Sequence, residues 1–264
     1  MSAPTSKWDD LWVRIASAAA MLAIGGVEVW LGGLWFHVFA GLLIGVMIWE
    51  LVRMLTGKGD GRAAQLGALS GAVMIALNYV PGIVVLPVIA GIVALGAVLI
   101  RSYRKSWLLY APMILLAGYS LCWMRDGLGV EFLIWLLCVV IASDVAGYFA
   151  GRMIGGPKFW PAISPKKTWS GTVAGWIGAG LVGLYFVHVF SDFFEKPAQP
   201  LTVVVFSMFV GFAAQMGDIA ESAIKRRAGV KDSSSLIPGH GGLLDRFDGL
   251  IGGALVVLVL GLFQ

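Results

Sequence analysis

Between Ser222 and Asp248 the chain places five cations (Lys225, Arg226, Arg227, Lys231, Arg246) and three carboxylates (Asp232, Asp245, Asp248) within 27 residues. His240 and the glycines Gly239, Gly241 and Gly242 stand among them. Charges of both signs at that density come in tight units, Lys231-Asp232, Gly239-His240-Gly241-Gly242 and Asp245-Arg246-Phe247-Asp248. Such units suit a polyphosphate and its metal ions better than a merely solvated face. Arginine grips phosphate oxygens through a bidentate fork and lysine acts as a point charge. Glycines let main-chain N–H groups turn toward phosphate. Lys166, Lys167, Lys225, Arg226, Lys231 and Arg246 are therefore the candidate counter-charges for a triphosphate, with Gly241 and Gly242 beside them.

The carboxylates have their own pattern. Asp218 and Glu221 lie three apart and share a helix face. Asp245 and Asp248 repeat that spacing and project together if a helix begins near Leu244. Asp218, Asp245 and Asp248 are the expected ligands for Mg²⁺, which prefers hard oxygens and borrows others from substrate phosphates. Mn²⁺ could replace it, and the set leaves room for a second cation. The ordinary alternative for Asp218 is a salt bridge to the basic run Lys225 to Arg227. Asp144 falls inside an apolar run, where a carboxylate is costly unless paired, hydrated or bound to a cation. It could position a metal or a nucleobase. His240 fits phosphate binding or proton transfer, and shaping the loop equally well. No Walker motif occurs, and the one GxGxxG, Gly178-x-Gly180-x-x-Gly183, lies inside an apolar run and not at a strand-to-helix turn, so neither a P-loop nor a Rossmann nucleotide site is indicated at the motif level.

These residues need elements to position them, and the composition says which. The chain is 59% hydrophobic and 13% charged, with mean hydropathy +0.87, against about 25% charged in an ordinary soluble domain. Apolar runs recur at the length a helix needs to cross a bilayer. The expected spans are 11–31, 34–55, 63–80, 83–100, 107–123, 130–153, 171–190, 201–224 and 249–263. The fold class is thus all-α, a polytopic integral membrane protein of about nine transmembrane helices. No alternation suggests a transmembrane barrel. Residues 1–264 form one membrane domain, with packing or lipid-facing helices in 1–128 and the catalytic helices and loops in 129–264.

Of the 19 Lys and Arg residues, 17 fall on one side of this topology, leaving Arg125 and Lys196 opposite. The positive-inside bias then puts the N-terminus and both charged loops in the cytoplasm. Basic residues spread over several loops do not suggest nucleic acid. The first apolar run is longer than a signal-peptide core, so an uncleaved first span is expected. Cys122 and Cys138 sit in apolar runs and read as buried thiols. Glu50, one turn before Arg53, fits a local ion pair, and Glu28, His37 and His188 fit the far interface. Gly41/Gly45, Gly67/Gly71, Gly147/Gly151, Gly171/Gly175 and Gly249/Gly253 have the spacing for close helix packing, within the chain or in a homodimer.

The order of residues also resembles a known family. Ser222-x-Ile224-Lys225-Arg226, Lys231-Asp232, Pro238-Gly239-His240-Gly241-Gly242 and Asp245-Arg246-Phe247-Asp248 are similar to the signature of the phosphatidate cytidylyltransferases, the CDP-diacylglycerol synthases. Ser143-Asp144-Val145-Ala146-Gly147-Tyr148 and Ile163-Ser164-Pro165-Lys166-Lys167-Thr168-Trp169-Ser170-Gly171 form a second similar block. The resemblance implies a cell inner-membrane enzyme of phospholipid biosynthesis that converts CTP and phosphatidic acid to CDP-diacylglycerol and pyrophosphate with Mg²⁺. It implies catalytic roles for Asp218, Asp245, Lys225, Arg226 and His240. Substrate contacts would fall to Asp144, Ser164, Lys166, Lys167, Thr168, Lys231, Asp232, Gly241, Gly242 and Arg246. Two rivals remain in view, a CTP-dependent lipid kinase with similar charges and, from another class, an ion-coupled transporter with intramembrane carboxylates.

Overall fold

The computed structural model describes residues 7–57, 61–101, 103–189 and 199–261. Lys58 and Lys196, which entered the charge bias above, lie outside the described residues. Among those described are nine α-helices: α1 (Lys7–Leu31), α2 (Gly33–Thr56), α3 (Gly61–Leu77), α4 (Val85–Leu99), α5 (Arg104–Gly127), α6 (Val130–Met153), α7 (Trp169–Val189), α8 (Pro200–Ala228) and α9 (Leu244–Gly261). The protein is an all-α polytopic membrane protein. Among the described residues, six segments are long and apolar enough to cross a bilayer: α2, Gly82–Leu99, α5, α6, α7 and α8. The apolar part of α1 (Ile15–Leu31) and α3 are shorter, and α9 starts with the charged turn Asp245-Arg246-Phe247-Asp248.

Local chemistry places the ends of these helices. After Pro81, a single 3₁₀ turn, Gly82–Val84, leads into α4. Gly229 adopts φ 71° and closes α8, its N–H returning to the Arg226 carbonyl while Val230 reaches the Lys225 carbonyl. That is the left-handed cap glycine alone adopts without strain. Between α6 and α7 the chain forms an antiparallel hairpin of β1 (Lys158–Trp160) and β2 (Ser164–Thr168), paired Lys158 with Thr168 and Trp160 with Ser164. This hairpin departs from the loop expected from sequence. Its strands are too short, and too rich in proline and lysine, to stand out as a period-2 pattern.

The small-residue spacings are used inside the chain. A side chain on Gly45 would lie 2.9 Å from the Gly67 carbonyl, and one on Gly71 2.7 Å from the Gly41 carbonyl. Here α2 and α3 touch backbone to backbone. Gly147 and Gly171 bring α6 and α7 together in the same way, and Gly217 meets the Asp248 carbonyl and Gly252 where α8 crosses α9. The glycine pattern therefore does not argue for a homodimer. One buried cluster runs through both halves of the chain, from Ile48 and Leu51 (α2) through Trp107 and Ile114 (α5) to Val139 (α6), Val210 (α8) and Ile251 (α9). The Trp107 Nε1–H donates to the Val93 carbonyl at 2.8 Å, and the Ser120 hydroxyl to the Ala254 carbonyl at 2.8 Å, so α5 is tied to α4 and α9.

The two ends of the bundle differ. At one, His37 is 4% exposed, with Nδ1 3.0 Å from the Tyr79 hydroxyl and Nε2 2.7 Å from Asp126. His37 stands toward the far end of its span, as expected, but is buried there against α5 and the turn after α3. Nearby, Arg125 donates to the carbonyls of Val29 and Trp30 and caps α1. His188 is exposed, with Nδ1 2.9 Å from the Leu184 carbonyl of its own helix. Cys122 is buried, Cys138 half-buried, and both are free thiols. The charged loops gather at the other end.

Candidate functional site

Two helix ends, the segment between them and the hairpin converge at that second end. α8 supplies Gln215, Asp218, Glu221 and Lys225 along one face over its last turns. α9 supplies Asp245, Arg246 and Asp248 in its first turn. The segment between them, 229–243, carries Lys231, Asp232 and His240. The hairpin projects Lys167 from β2 toward α8.

Asp218, Glu221 and Asp248 form the carboxylate group, with one oxygen of each lying within 4.8 Å of the others. Glu221 is wholly buried, and its Oε1 has no hydrogen-bond partner among the described residues. Three carboxylates this close repel one another, and a buried carboxylate oxygen without a donor is expensive. The donor set therefore fits a hard divalent cation on its own chemistry. The sequence paired Asp245, not Glu221, with the other two. The structure commits Asp245 elsewhere: it accepts from Lys225 Nζ at 2.7 Å, the Ser233 N–H and hydroxyl, both at 2.9 Å, and the Gly242 N–H at 2.8 Å.

Two lysines offset this negative charge. Lys225 is bonded to both Glu221 and Asp245 and so joins α8 to α9. Lys167 lies 2.7 Å from Asp218 and donates to the Gln215 carbonyl at 3.1 Å, which docks the hairpin on α8. A salt bridge, the alternative weighed for Asp218, thus exists, but with Lys167 in place of Lys225 to Arg227. Asp144, on α6, is within electrostatic reach of Asp218, Lys167 and Arg246. Its neighbour Ser143 and the Gln215 amide tie α6, α7 and α8 together, as Gln215 Nε2 donates to the Ser143 hydroxyl and the Thr172 carbonyl at 3.2 Å each.

Beside the carboxylates opens a cavity of about 580 Å³ lined by Lys231, Asp232, Ser234, Ser235, Ile237, Pro238, Gly239, His240, Gly241 and Arg246. Its wall is a tight turn in which Pro238 and Gly239 occupy the centre, with Gly239 at φ 74° and the His240 N–H returning to the Ile237 carbonyl. Proline then glycine is what a type II turn requires. His240 Nδ1 lies 2.9 Å from the Ser17 hydroxyl of α1, so the first helix touches the loop.

Most of the expected site residues are therefore brought to one end of the bundle. Thr168 is the exception in role: it is buried, and its hydroxyl meets the Ser170 hydroxyl at 3.0 Å and accepts from the Gly171 N–H, capping α7. Ser164 opens β2 half-buried and Lys166 is exposed on the hairpin. Arg226 is exposed on the last turn of α8. Glu50 was the largest omission. Arg53, its expected partner, instead lies over the Trp49 ring at 4.6 Å, while the Glu50 carboxylate turns to Ser233, Ser234, Leu243 and Leu244. The only available signal was a carboxylate within an apolar run.

Comparison with known proteins identifies the family. The model of the cytidylyltransferase family matches residues 12–263. The chain belongs to the cytidylyltransferase family. It is a membrane-embedded nucleotidyltransferase, and the family match covers α2 to α9 and most of α1. The phosphatidate cytidylyltransferase of Brucella suis is 32% identical over 260 residues, covering 96% of this chain and 93% of the relative. That of Bacillus subtilis is 36% identical over 126 residues, 48% of this chain and 45% of the relative. That of Helicobacter pylori is 39% identical over 142 residues, 54% and 51% respectively.

Proposed function

We propose that this protein transfers the cytidylyl group of CTP to phosphatidic acid, giving CDP-diacylglycerol and pyrophosphate. The observation that carries this reading is the interleaving of carboxylates and lysines from α8, α9 and the hairpin, beside a cavity with cations and glycines in its wall. One substrate is a lipid with an anionic head and the other a soluble polyanion, and the site stands where both could meet, at one end of a membrane bundle. The relatives named above, called phosphatidate cytidylyltransferases, add to it.

In the reaction a phosphate oxygen of phosphatidic acid attacks the α-phosphorus of CTP, the bond to the β-phosphate oxygen breaks, and pyrophosphate leaves with that electron pair. A phosphate monoester is mostly ionised near neutral pH, so no strong general base is needed. Two phosphate anions must be drawn together and aligned, and that is what this chain's cations do. Lys231 and Arg246, both in the lining of the cavity, hold the triphosphate with the N–H groups around Gly241. Lys167 and Lys225 face the reacting phosphates, Arg226 and Lys166 extend the basic rim, and His240 steadies the leaving group. Asp232 and Asp144 are the groups available to the cytosine ring. Asp218, Glu221 and Asp248 would hold Mg²⁺, which supplies charge neutralisation on the phosphates when bound. A second cation would take Asp245 in exchange for Lys225.

The basic bias supports a cytoplasmic position for this end of the bundle, and the family resemblance implies the cell inner membrane. The test is purified protein with phosphatidic acid, Mg²⁺ and each nucleoside triphosphate, following pyrophosphate. Release with CTP supports the reading. Release of CDP instead would make the protein a lipid kinase, and flux across liposomes without CTP turnover a transporter.

A further inference from the structure

We propose that Glu50 is a positioning residue for this reaction: from α2 it holds the loop and helix end that carry Asp245 and Asp248. Its neighbours Ile48, Leu51 and Val52 are fully buried, and Glu50 itself is 0% exposed. A lone carboxylate in such surroundings is costly unless its oxygens are satisfied. Here they are satisfied without a cation. Oε1 accepts from the Ser234 hydroxyl at 2.6 Å and the Leu243 N–H at 2.9 Å. Oε2 accepts from the Ser233 hydroxyl at 3.2 Å and the Leu244 N–H at 2.7 Å.

All four donors belong to the 233–244 segment. Leu244 is the first residue of α9, so its N–H and that of Leu243 are among the donors a helix start leaves unpaired. A carboxylate is the group the positive end of a helix favours. Glu50 therefore caps α9 from a different helix. The same Ser233 that donates to Glu50 also gives its N–H and hydroxyl to Asp245, and Asp245 holds Lys225 against Glu221. A chain of contacts thus runs from α2 to the carboxylate group. Gly242 shows how closely the loop fits over Glu50, since a side chain there would collide with the Ser233 hydroxyl and stand 2.6 Å from Glu50 Oε1. A glutamine at position 50 would keep the size but could not serve four donors, because its NH₂ would confront two of them.

The kinetic part of this proposal rests on the cytidylyl-transfer reading, and the structural part does not. The experiment is hydrogen exchange across residues 233–248 together with turnover, on the purified full chain carrying Glu50→Gln, Glu50→Asp or Ser234→Ala. Glu50→Gln should speed exchange in that segment about tenfold, the size of one lost buried hydrogen bond, while peptides from α3 stay protected. Turnover at saturating CTP and phosphatidic acid should fall by as much as about 100-fold, as for a small misplacement of reacting groups. Glu50→Asp should recover part of both effects, and Ser234→Ala, which leaves three donors, should shift both in the same direction by less. Unchanged exchange in Glu50→Gln overturns the proposal, as does faster exchange with unchanged turnover. If the wild type makes no pyrophosphate, the reaction assignment fails, and the exchange arm still decides whether Glu50 holds the loop.

Discussion

Lys225 Nζ lies 2.7 Å from Asp245, and the same ammonium group reaches Glu221, so a single side chain joins the end of α8 to the start of α9. Both carboxylates are nearly inaccessible, with side-chain exposures of 0% for Glu221 and 5% for Asp245. Removing one partner of a buried pair leaves the other charge uncompensated. Lys225→Met should therefore destabilise the protein by about 3 kcal/mol and remove nearly all turnover, and Lys225→Arg should restore much of the stability. Unfolding in detergent by heat or denaturant measures the first effect, and pyrophosphate release the second. Wild-type stability in Lys225→Met would mean that the pair contributes little.

The carboxylates should separate into two kinds. Asp218→Asn, Glu221→Gln and Asp248→Asn each remove a charge from the group that fits Mg²⁺, and should raise the Mg²⁺ concentration needed for half-maximal activity or abolish turnover, with melting temperature held or raised. Relief of like-charge repulsion is the reason stability need not fall, and in Glu221→Gln the Lys225 charge keeps Asp245 as its partner. Asp245→Asn should instead lower the melting temperature, because it weakens bonds to Lys225, Ser233 and Gly242 at about 1 kcal/mol or more each. A Mg²⁺ titration and a melting curve on the four variants make the comparison. If Asp245→Asn shifted the Mg²⁺ curve while Glu221→Gln did not, the ligand set would return to the one expected from sequence.

The sequence was most legible where chemistry was local. Helix positions followed from apolar run length: α2 and α6 match the expected spans 34–55 and 130–153 to within a residue, whereas α8 runs on to Ala228, a turn past the expected end at 224, because its last turn is charged and gives no apolar signal. The grouping of Asp218 with Asp248 followed from their spacing and the signature order. What was not legible depended on distances across the chain. Choosing Glu221 over Asp245 as third carboxylate needed the crossing of α8 and α9 at Gly217, which decides which carboxylate Lys225 and Ser233 engage. Glu50 looked like a partner of Arg53 because only neighbours along a helix can be paired from sequence. The small-residue pairs announced close packing, but the partner helix appeared only in three dimensions.

The orientation in the membrane is open to a direct check. Ser235 is exposed in the loop beside the cavity and Val80 is exposed in the turn between α3 and α4, at the opposite end of the bundle. With a membrane-impermeant maleimide applied to intact cells, Val80→Cys should react and Ser235→Cys should react only after lysis. The basic asymmetry of the loops motivates this. Labelling of Ser235→Cys from outside would invert the topology and place the site on the wrong side for CTP.

The central claim is that the cytidylyl group itself, with its α-phosphate, ends on the lipid. Purified protein in phosphatidic acid vesicles with Mg²⁺ should be given CTP labelled at either the α- or the γ-phosphate, and the organic-soluble label counted. The account predicts that α-label enters the lipid fraction in step with pyrophosphate release while γ-label stays in the aqueous phase. Transfer of γ-label to lipid, with CDP as the soluble product, would contradict it.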